Sequence, residues 1–259
     1  MTFNPELLRL EREIPTCSRF SDCANHAGQT IELSNITAGD PRRGTHDARI
    51  LVVTEAPDRR SAMGRAYRGG TGTRIMRMFL RPQYGICIDY EDHGSEGIPG
   101  FLRDMKIYQT SAVKCVLHGS PASLGMRVVA NCRQKFLDVQ ITDLQNLELI
   151  LPMGRLAISS VLRRPLQTLD CGSLIGRAGR GVLQSDSRYG KTIVALPHPS
   201  GVNRSFNPPI LQSGDSPNAA RRKQGFARAL HAVRAKLELM GYPVRNLPRT
   251  DWSGPLDGL

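Results

Sequence analysis

The chain has 259 residues, 40% hydrophobic and 22% charged, a balance that supplies a core and excludes disorder as the default state. No run of about 18 apolar residues occurs, and Met1 to Leu10 lacks a basic segment followed by an apolar one, so neither a membrane span nor a secretion signal is expected and the cytoplasm is the expected compartment. The 35 Lys and Arg against 23 Asp and Glu give a formal charge of +12, which on charge alone favours a polyanionic partner such as nucleic acid or an anionic surface as much as it does a solvated basic exterior.

In chain order, residues 1–16 read as a short helix around Leu7, Leu8 and Leu10, ended by Pro15, with Cys17 and Cys23 in a polar loop after it. Ser34 to Asp47 reads as a connector. Arg49 to Val53 is a β-branched run of the kind that fills a buried parallel strand, and it leads directly into Thr54-Glu-Ala-Pro57. The glycine-rich stretch Gly64 to Gly72 opens a helix over Thr73–Leu80, a place suited to phosphate. Arg81 to Arg103 reads as a turn-rich insertion, Met105–Val113 as a second strand with Lys114-Cys115 at its carboxyl end, and Val128–Leu144 as a helix. Leu147–Pro152 gives a third strand, Gly154–Leu162 the next helix, and Lys191–Leu196 a further strand running into Pro197-His-Pro-Ser200. Residues 216–240 form a terminal helix whose charges read as a solvated face, and 241–259 a tail, either disordered or draped over the surface. Strands alternating with helices, with polar motifs just after strand ends, predict an α/β fold: a three-layer sandwich with a central parallel sheet flanked by helices and a ligand site at the carboxyl edge. One domain over 1–240 is expected, divided into an N-terminal cysteine-bearing segment (1–48), a core (49–215) and the terminal helix.

The six cysteines, Cys17, Cys23, Cys87, Cys115, Cys132 and Cys171, show no zinc-finger pattern. Without a secretion signal a disulfide framework is not expected, which leaves metal ligation or burial.

Val-Val-Thr-Glu-Ala-Pro (52–57), Gly-Arg-Ala-Tyr-Arg-Gly (64–69), Val-Lys-Cys (113–115), Cys132 before a helix, Met-Gly-Arg-Leu-Ala (153–157) and His-Pro-Ser (198–200) follow one another in this order. Together they resemble the uracil-DNA glycosylase superfamily, nearest to its family 4, which carries an iron-sulfur cluster. The resemblance runs from about Cys17 to about Arg204. It implies a glycosylase that works on a nucleotide flipped out of DNA, with no membrane partner, and a monomer is expected.

Breaking a glycosidic bond to a pyrimidine builds positive charge on the sugar and negative charge on the leaving base, so the site needs a carboxylate and a hydrogen-bond donor facing each other. Glu55, directly after a buried strand, can supply the carboxylate that orients water or stabilises an oxocarbenium-like sugar. His198 can donate to the base oxygen or hold a phosphate. The plainer alternatives are that Glu55 caps a turn and that His198 is structural. The resemblance places Glu55 and His198 in the catalytic motifs, Ala56, Pro57 and Asp58 against the substrate, Tyr67 where an aromatic stacks on the flipped base, and Ser200 and Arg204 in a loop that grips phosphate and wedges into the duplex. It implies Cys17, Cys23, Cys115 and Cys132 as ligands of a 4Fe-4S cluster of structural role, the first pair being spaced by five residues where the family uses two.

Three departures concern the base. Ser111 stands where the family has an Asn that reads uracil, Asp58 stands where it has Gly, and an acidic residue that blocks C5 of the base has no counterpart among Arg59, Arg60 and Ser61. A bidentate amide has become one hydroxyl. The expected substrate is therefore a non-canonical pyrimidine, possible examples being 5-substituted cytosines such as those with which phages modify their DNA, in which case the role is antiviral defence. Uracil excision in DNA repair is the alternative, and a catalytically silent DNA binder a further one.

Overall fold

The computed structural model describes residues 4–34, 40, 43–57, 71–90, 97–163, 189–199 and 207–245. In chain order they form α1 (Pro5–Arg12), α2 (Phe20–His26), β1 (Ile31–Glu32), β2 (Ile50–Thr54), α3 (Thr71–Leu80), α4 (Gly97–Asp104), β3 (Ile107–Ser111), β4 (Val116–Leu117), α5 (Met126–Cys132), a π turn (Arg133–Leu137), α6 (Asp138–Asp143), β5 (Leu149–Pro152), α7 (Arg155–Leu162), β6 (Thr192–Ile193) and α8 (Pro217–Leu239).

Four strands form a parallel sheet in the order β3-β2-β5-β6, with Val52 opposite Gln109 and Leu151, and Thr54 opposite Ser111. Every residue of β2 is buried because both faces of the sheet are covered. Leu51 and Val53 enter a core shared with Tyr108, Ile150, Val128, Leu156 and Leu7. Ile50 and Val52 enter the opposite core with Ile75, Met78, Phe79, Phe101 and Phe226. The fold is therefore the expected α/β sandwich with a central parallel sheet.

Several local expectations need correction. Cys23 lies on α2 rather than in a loop. Within the expected insertion 81–103, Gly97–Asp104 is helical despite its glycines and proline. Pro99 stands in the first turn, where a missing N–H costs nothing, and buried Phe101 packs against Phe79 with ring centroids 6.0 Å apart, so tertiary packing overrides weak propensity. The single helix expected over Val128–Leu144 is interrupted by the π turn. The last strand, β6, is short at Thr192–Ile193, but the expected run to Leu196 still pairs with β5: the Val194 N–H donates to the Ile150 carbonyl (3.0 Å) and the Leu196 N–H to the Pro152 carbonyl (3.0 Å). A two-stranded antiparallel ribbon, β1 with β4, was not legible in the sequence. After α8 the first tail residues are draped: Val244 bridges Ile88, and the Tyr242 hydroxyl donates to the Met105 carbonyl (2.8 Å).

Candidate active site

The chain leaves β2 toward β3 on one side and returns as β5 on the other, so β2 and β5 flank the point where strand order reverses. The helices that follow them pack on opposite faces, α3 through Ile75, Met78 and Phe79, α7 through Leu156, Ala157 and Val161. Such a divergence opens a crevice at the carboxyl ends of the two strands.

Glu55 sits in this crevice. Its backbone carbonyl accepts from the Val113 N–H (3.1 Å), and its Oε1 accepts from the Leu156 N–H (3.1 Å) in the first turn of α7, where exposed amides and the helix dipole favour an anion. Gly154 makes the approach possible. Its φ is +93°, and a Cβ there would lie 2.7 Å from Glu55 Cδ and 2.8 Å from Cγ and Oε1. The Gly154 N–H in turn donates to the Leu196 carbonyl (2.9 Å), which ties the segment leading to His198 to the same place.

His198 Nε2 lies 3.9 Å from Glu55 Oε2, too long for a direct hydrogen bond but well within electrostatic reach. Burial lowers the imidazole's pKa below its ordinary value, and the Glu55 carboxylate partly opposes that shift. The side chains of His198 and Glu55 are 23% and 14% exposed, so a substrate can reach both while most of the surrounding water is excluded.

Ser111, the last residue of β3, lies at the same edge. Its Oγ is 3.1 Å from Thr54 Oγ1, and the Thr54 hydroxyl donates to the Thr110 carbonyl (3.2 Å). A hydroxyl has one proton; with Thr54's given to the Thr110 carbonyl, Ser111 is the donor in the shared contact and keeps both lone pairs as acceptors. Two residues earlier on the same strand face, Gln109 is 7% exposed and its Oε1 finds no hydrogen-bond partner among the described residues. This edge of β3 is thus rich in acceptors.

Beneath it runs a buried polar network. Lys114 Nζ donates to the Ser111 carbonyl (2.6 Å), Thr110 Oγ1 (2.6 Å) and Gln140 Oε1 (2.8 Å). Gln140 Nε2 donates to the Tyr108 hydroxyl (3.2 Å), which donates to Glu11, and Arg43 and His46 each stand 3.5 Å from the same carboxylate. Burial, with Arg43 nearby, holds the Lys114 pKa well below its ordinary value.

Cys23, Cys115 and Cys132 are buried in the same core, and Cys17 is half-buried. A turn closed by the Phe20 N–H on the Cys17 carbonyl (3.0 Å) folds the five-residue spacing back, so that Cys17 and Cys23 influence each other electrostatically. Burial drives the Cys115 thiol pKa far up, with Cys132, Cys17 and Cys23 adding to the shift. Burial likewise pushes Cys132 up to about 11, against the pull of a hydrogen bond from the Lys114 backbone N–H. Thiols reluctant to ionise would need a bound cation to offset the cost if they served as thiolate ligands. Among the described residues no three His, Cys, Asp or Glu side chains converge as ligands of a single ion, and the four sulfurs of a cubane stand farther apart than those around one ion. Cys87 lies elsewhere, in a left-handed backbone conformation with φ +46°.

The structure thus brings Glu55, His198 and Ser111 to one sheet edge, with Ala56 and Pro57 half-buried beside Glu55. Asp58, Tyr67, Ser200, Arg204 and Cys171 lie outside the described residues. Gly154, Thr54, Gln109 and Lys114 were given no role by sequence reasoning, although Thr54, Lys114 and Gly154 stand within the motifs at 52–57, 113–115 and 153–157. Among the described residues no helix is long and apolar enough to cross a membrane.

A comparison with curated proteins finds no match. The family model for the uracil DNA glycosylase superfamily, whose members are DNA glycosylases, matches residues 41–223, from the segment before β2 through the first residues of α8. With its parallel sheet and its crevice between β2 and β5, the chain belongs to the uracil DNA glycosylase superfamily.

Proposed function

We propose that this protein is a monofunctional DNA glycosylase that hydrolyses the N-glycosidic bond of a 5-substituted cytosine flipped out of DNA, leaving an abasic site. The observation that carries the reading is the Glu55 carboxylate, fixed by the Leu156 amide in a pocket that only a glycine at 154 leaves open, with His198 facing it. As the C1′–N1 bond breaks, its electron pair leaves with the base and C1′ becomes electron-poor. Glu55 stabilises that positive charge, orients the water that adds to C1′ and accepts the proton this water loses, which then neutralises the departed base anion, while the neutral His198 donates a hydrogen bond to the base oxygen on which negative charge grows.

Two features favour a cytosine-type base. The acceptors at Ser111 and Gln109 suit the exocyclic amino group of cytosine, a donor that uracil lacks at that position. The resemblance puts an acidic residue that excludes a C5 substituent in this segment, and Arg59, Arg60 and Ser61 include none. Such a specificity would serve defence against DNA carrying hypermodified cytosine.

Cys17, Cys23, Cys115 and Cys132 are the residues that would hold a 4Fe-4S cluster, whose part would be to join α2, α5 and the turn after β3. Replacing any one with Ser should lower bound iron, whereas Cys87→Ser should not; equal iron in all five variants would reject the assignment.

The deciding experiment incubates the protein with duplexes that each carry one altered base, followed by mild alkali to reveal abasic sites. Strand breaks at 5-hydroxymethylcytosine but not at uracil are expected. Cleavage only at uracil would reassign the substrate, and no cleavage anywhere would leave a silent DNA binder.

A further inference from the structure

Away from the catalytic crevice, α3 and the turn after it form one wall of a cleft of about 310 Å³, lined by Arg74, Arg77, Arg81, Gln83, Tyr84 and Asn207. The three arginines are spaced three and four residues apart and so fall on one side of the chain, spanning about 10 Å at 1.5 Å per residue. Arg77 and Arg81 are exposed and Arg74 is half-buried. Among the described residues that line the cleft there is no Asp or Glu.

Tyr84 forms part of the lining. It is 7% exposed, and its ring packs edge-on against Phe226, with centroids 6.4 Å apart. Burial raises its phenol pKa while Arg74, Arg81 and Arg77 pull it down, so all three guanidiniums lie within electrostatic reach of one hydroxyl. A buried ring offers no open face on which a base could stack. What the cleft offers is guanidinium forks, a hydroxyl and two amides, donors suited to phosphate oxygens. Charges strung along about 10 Å match a row of phosphates, which advance about 3.4 Å along the axis per nucleotide of one strand.

The two sides of the cleft also continue the chain from the two catalytic residues, α3 following Glu55 and Asn207 following His198. We infer that this cleft grips successive backbone phosphates of one DNA strand, outside the base pocket and without regard to sequence. The inference rests on the reading that the protein acts on DNA.

The test measures fluorescence anisotropy of a labelled, unmodified duplex with full-length protein across a range of salt concentrations. Each phosphate contact adds about 0.9 to the slope of log affinity against log salt. An Arg77→Gln, Arg81→Gln double variant should therefore lose roughly 2 from the slope and bind DNA at least about tenfold more weakly at low salt. Its single-turnover rate at saturating enzyme should stay that of the parent. The corresponding double Lys variant keeps the charge and should keep the slope, and the single Arg77→Gln variant, with a loss of about 1, serves if the double variant does not fold. A Gln variant with the parent's slope would overturn the cleft as a DNA contact. If that variant also lost binding of inorganic tripolyphosphate by calorimetry, the cleft would belong to a free polyphosphate instead. A parent that binds no DNA would overturn the DNA reading of the whole protein and this inference with it.

Discussion

On one face of the sheet, α3, α4 and α8 bury Met78, Phe79, Phe101, Phe226, Leu230 and Val233 in a hydrocarbon core with Ile50, Val52 and Leu151. On the other, α1, α2, α5, α6 and α7 bury apolar groups too, but among them lie Glu11, Tyr108, Lys114 and Gln140 and three of the four grouped cysteines. The first face gains from every area it hides from water. The second gives up part of that gain, because each buried polar group must find partners and a charged one is costly to desolvate. Its network reaches upward to the Ser111 carbonyl and sideways to the turn that carries Cys115. The comparison teaches that the apolar face sets stability and the polar face sets the position of groups at the sheet edge.

The largest effect should come from the apolar face. Phe79 is fully buried against Phe101, and Phe79→Ala should cost about 3–5 kcal/mol by urea unfolding. A loss below about 1 kcal/mol would mean that this core collapses around the cavity and does not carry the stability assigned to it.

Next comes the edge itself. Gly154→Ala places a Cβ within 2.7 Å of Glu55 Cδ and strains a φ of +93°, so it should lower the single-turnover rate by about the 10²–10³-fold expected of Glu55→Gln. Combining the two substitutions should add little to either alone, since both disable one carboxylate, while DNA affinity stays near the parent's. Fully additive losses would show that Gly154 acts other than through Glu55.

The polar face should respond less in stability but in a way the apolar face cannot. Lys114→Met leaves the Ser111 carbonyl and Gln140 Oε1 without their shared donor and should cost about 1–3 kcal/mol. It should also shift preference among substrates, because the β3 edge loses its anchor; Phe79→Ala should leave that preference unchanged. Altered preference in the Phe79 variant, with none in the Lys114 variant, would reverse the comparison.

The smallest effect concerns pH. Burial lowers the folded-state pKa of His198, so between that value and the ordinary one of about 6.5 the unfolded chain binds more protons. The contribution of His198 is therefore fully present above about pH 6.5 and is lost as pH falls through the folded pKa. His198→Asn should flatten the fall in stability over that window, and the parent's rate should decline on the acid side as the imidazole gains its proton. A variant with the parent's pH dependence of stability would remove His198 as its source.

The strands and most of the helices were legible because they depend on local pattern. The β-branched run before Glu55 is apolar at every position, as a strand covered on both faces must be, and α8 announces itself with Ser216 and Pro217 at its start and Phe226, Leu230, Val233 and Leu237 at helical spacing. Gly97–Asp104 was not legible, since its glycines and proline oppose a helix that tertiary packing stabilises, with Leu102 buried and Phe101 set against Phe79 and Tyr90. The sequence alone placed Glu55 and His198 after strands of one parallel sheet and so at its carboxyl edge, whereas Ser111 read as lying inside the strand Met105–Val113 and reaches the edge because β3 ends there. Tertiary structure alone decided that Glu55 rests on the first turn of α7 beneath Gly154, that Ser111 spends its proton on Thr54, and that a turn brings Cys17 back to Cys23. The physical reason is range: strand and helix patterns are written in neighbours along the chain, whereas a hydrogen-bond partner or a missing Cβ is settled by residues that meet only when the layers close.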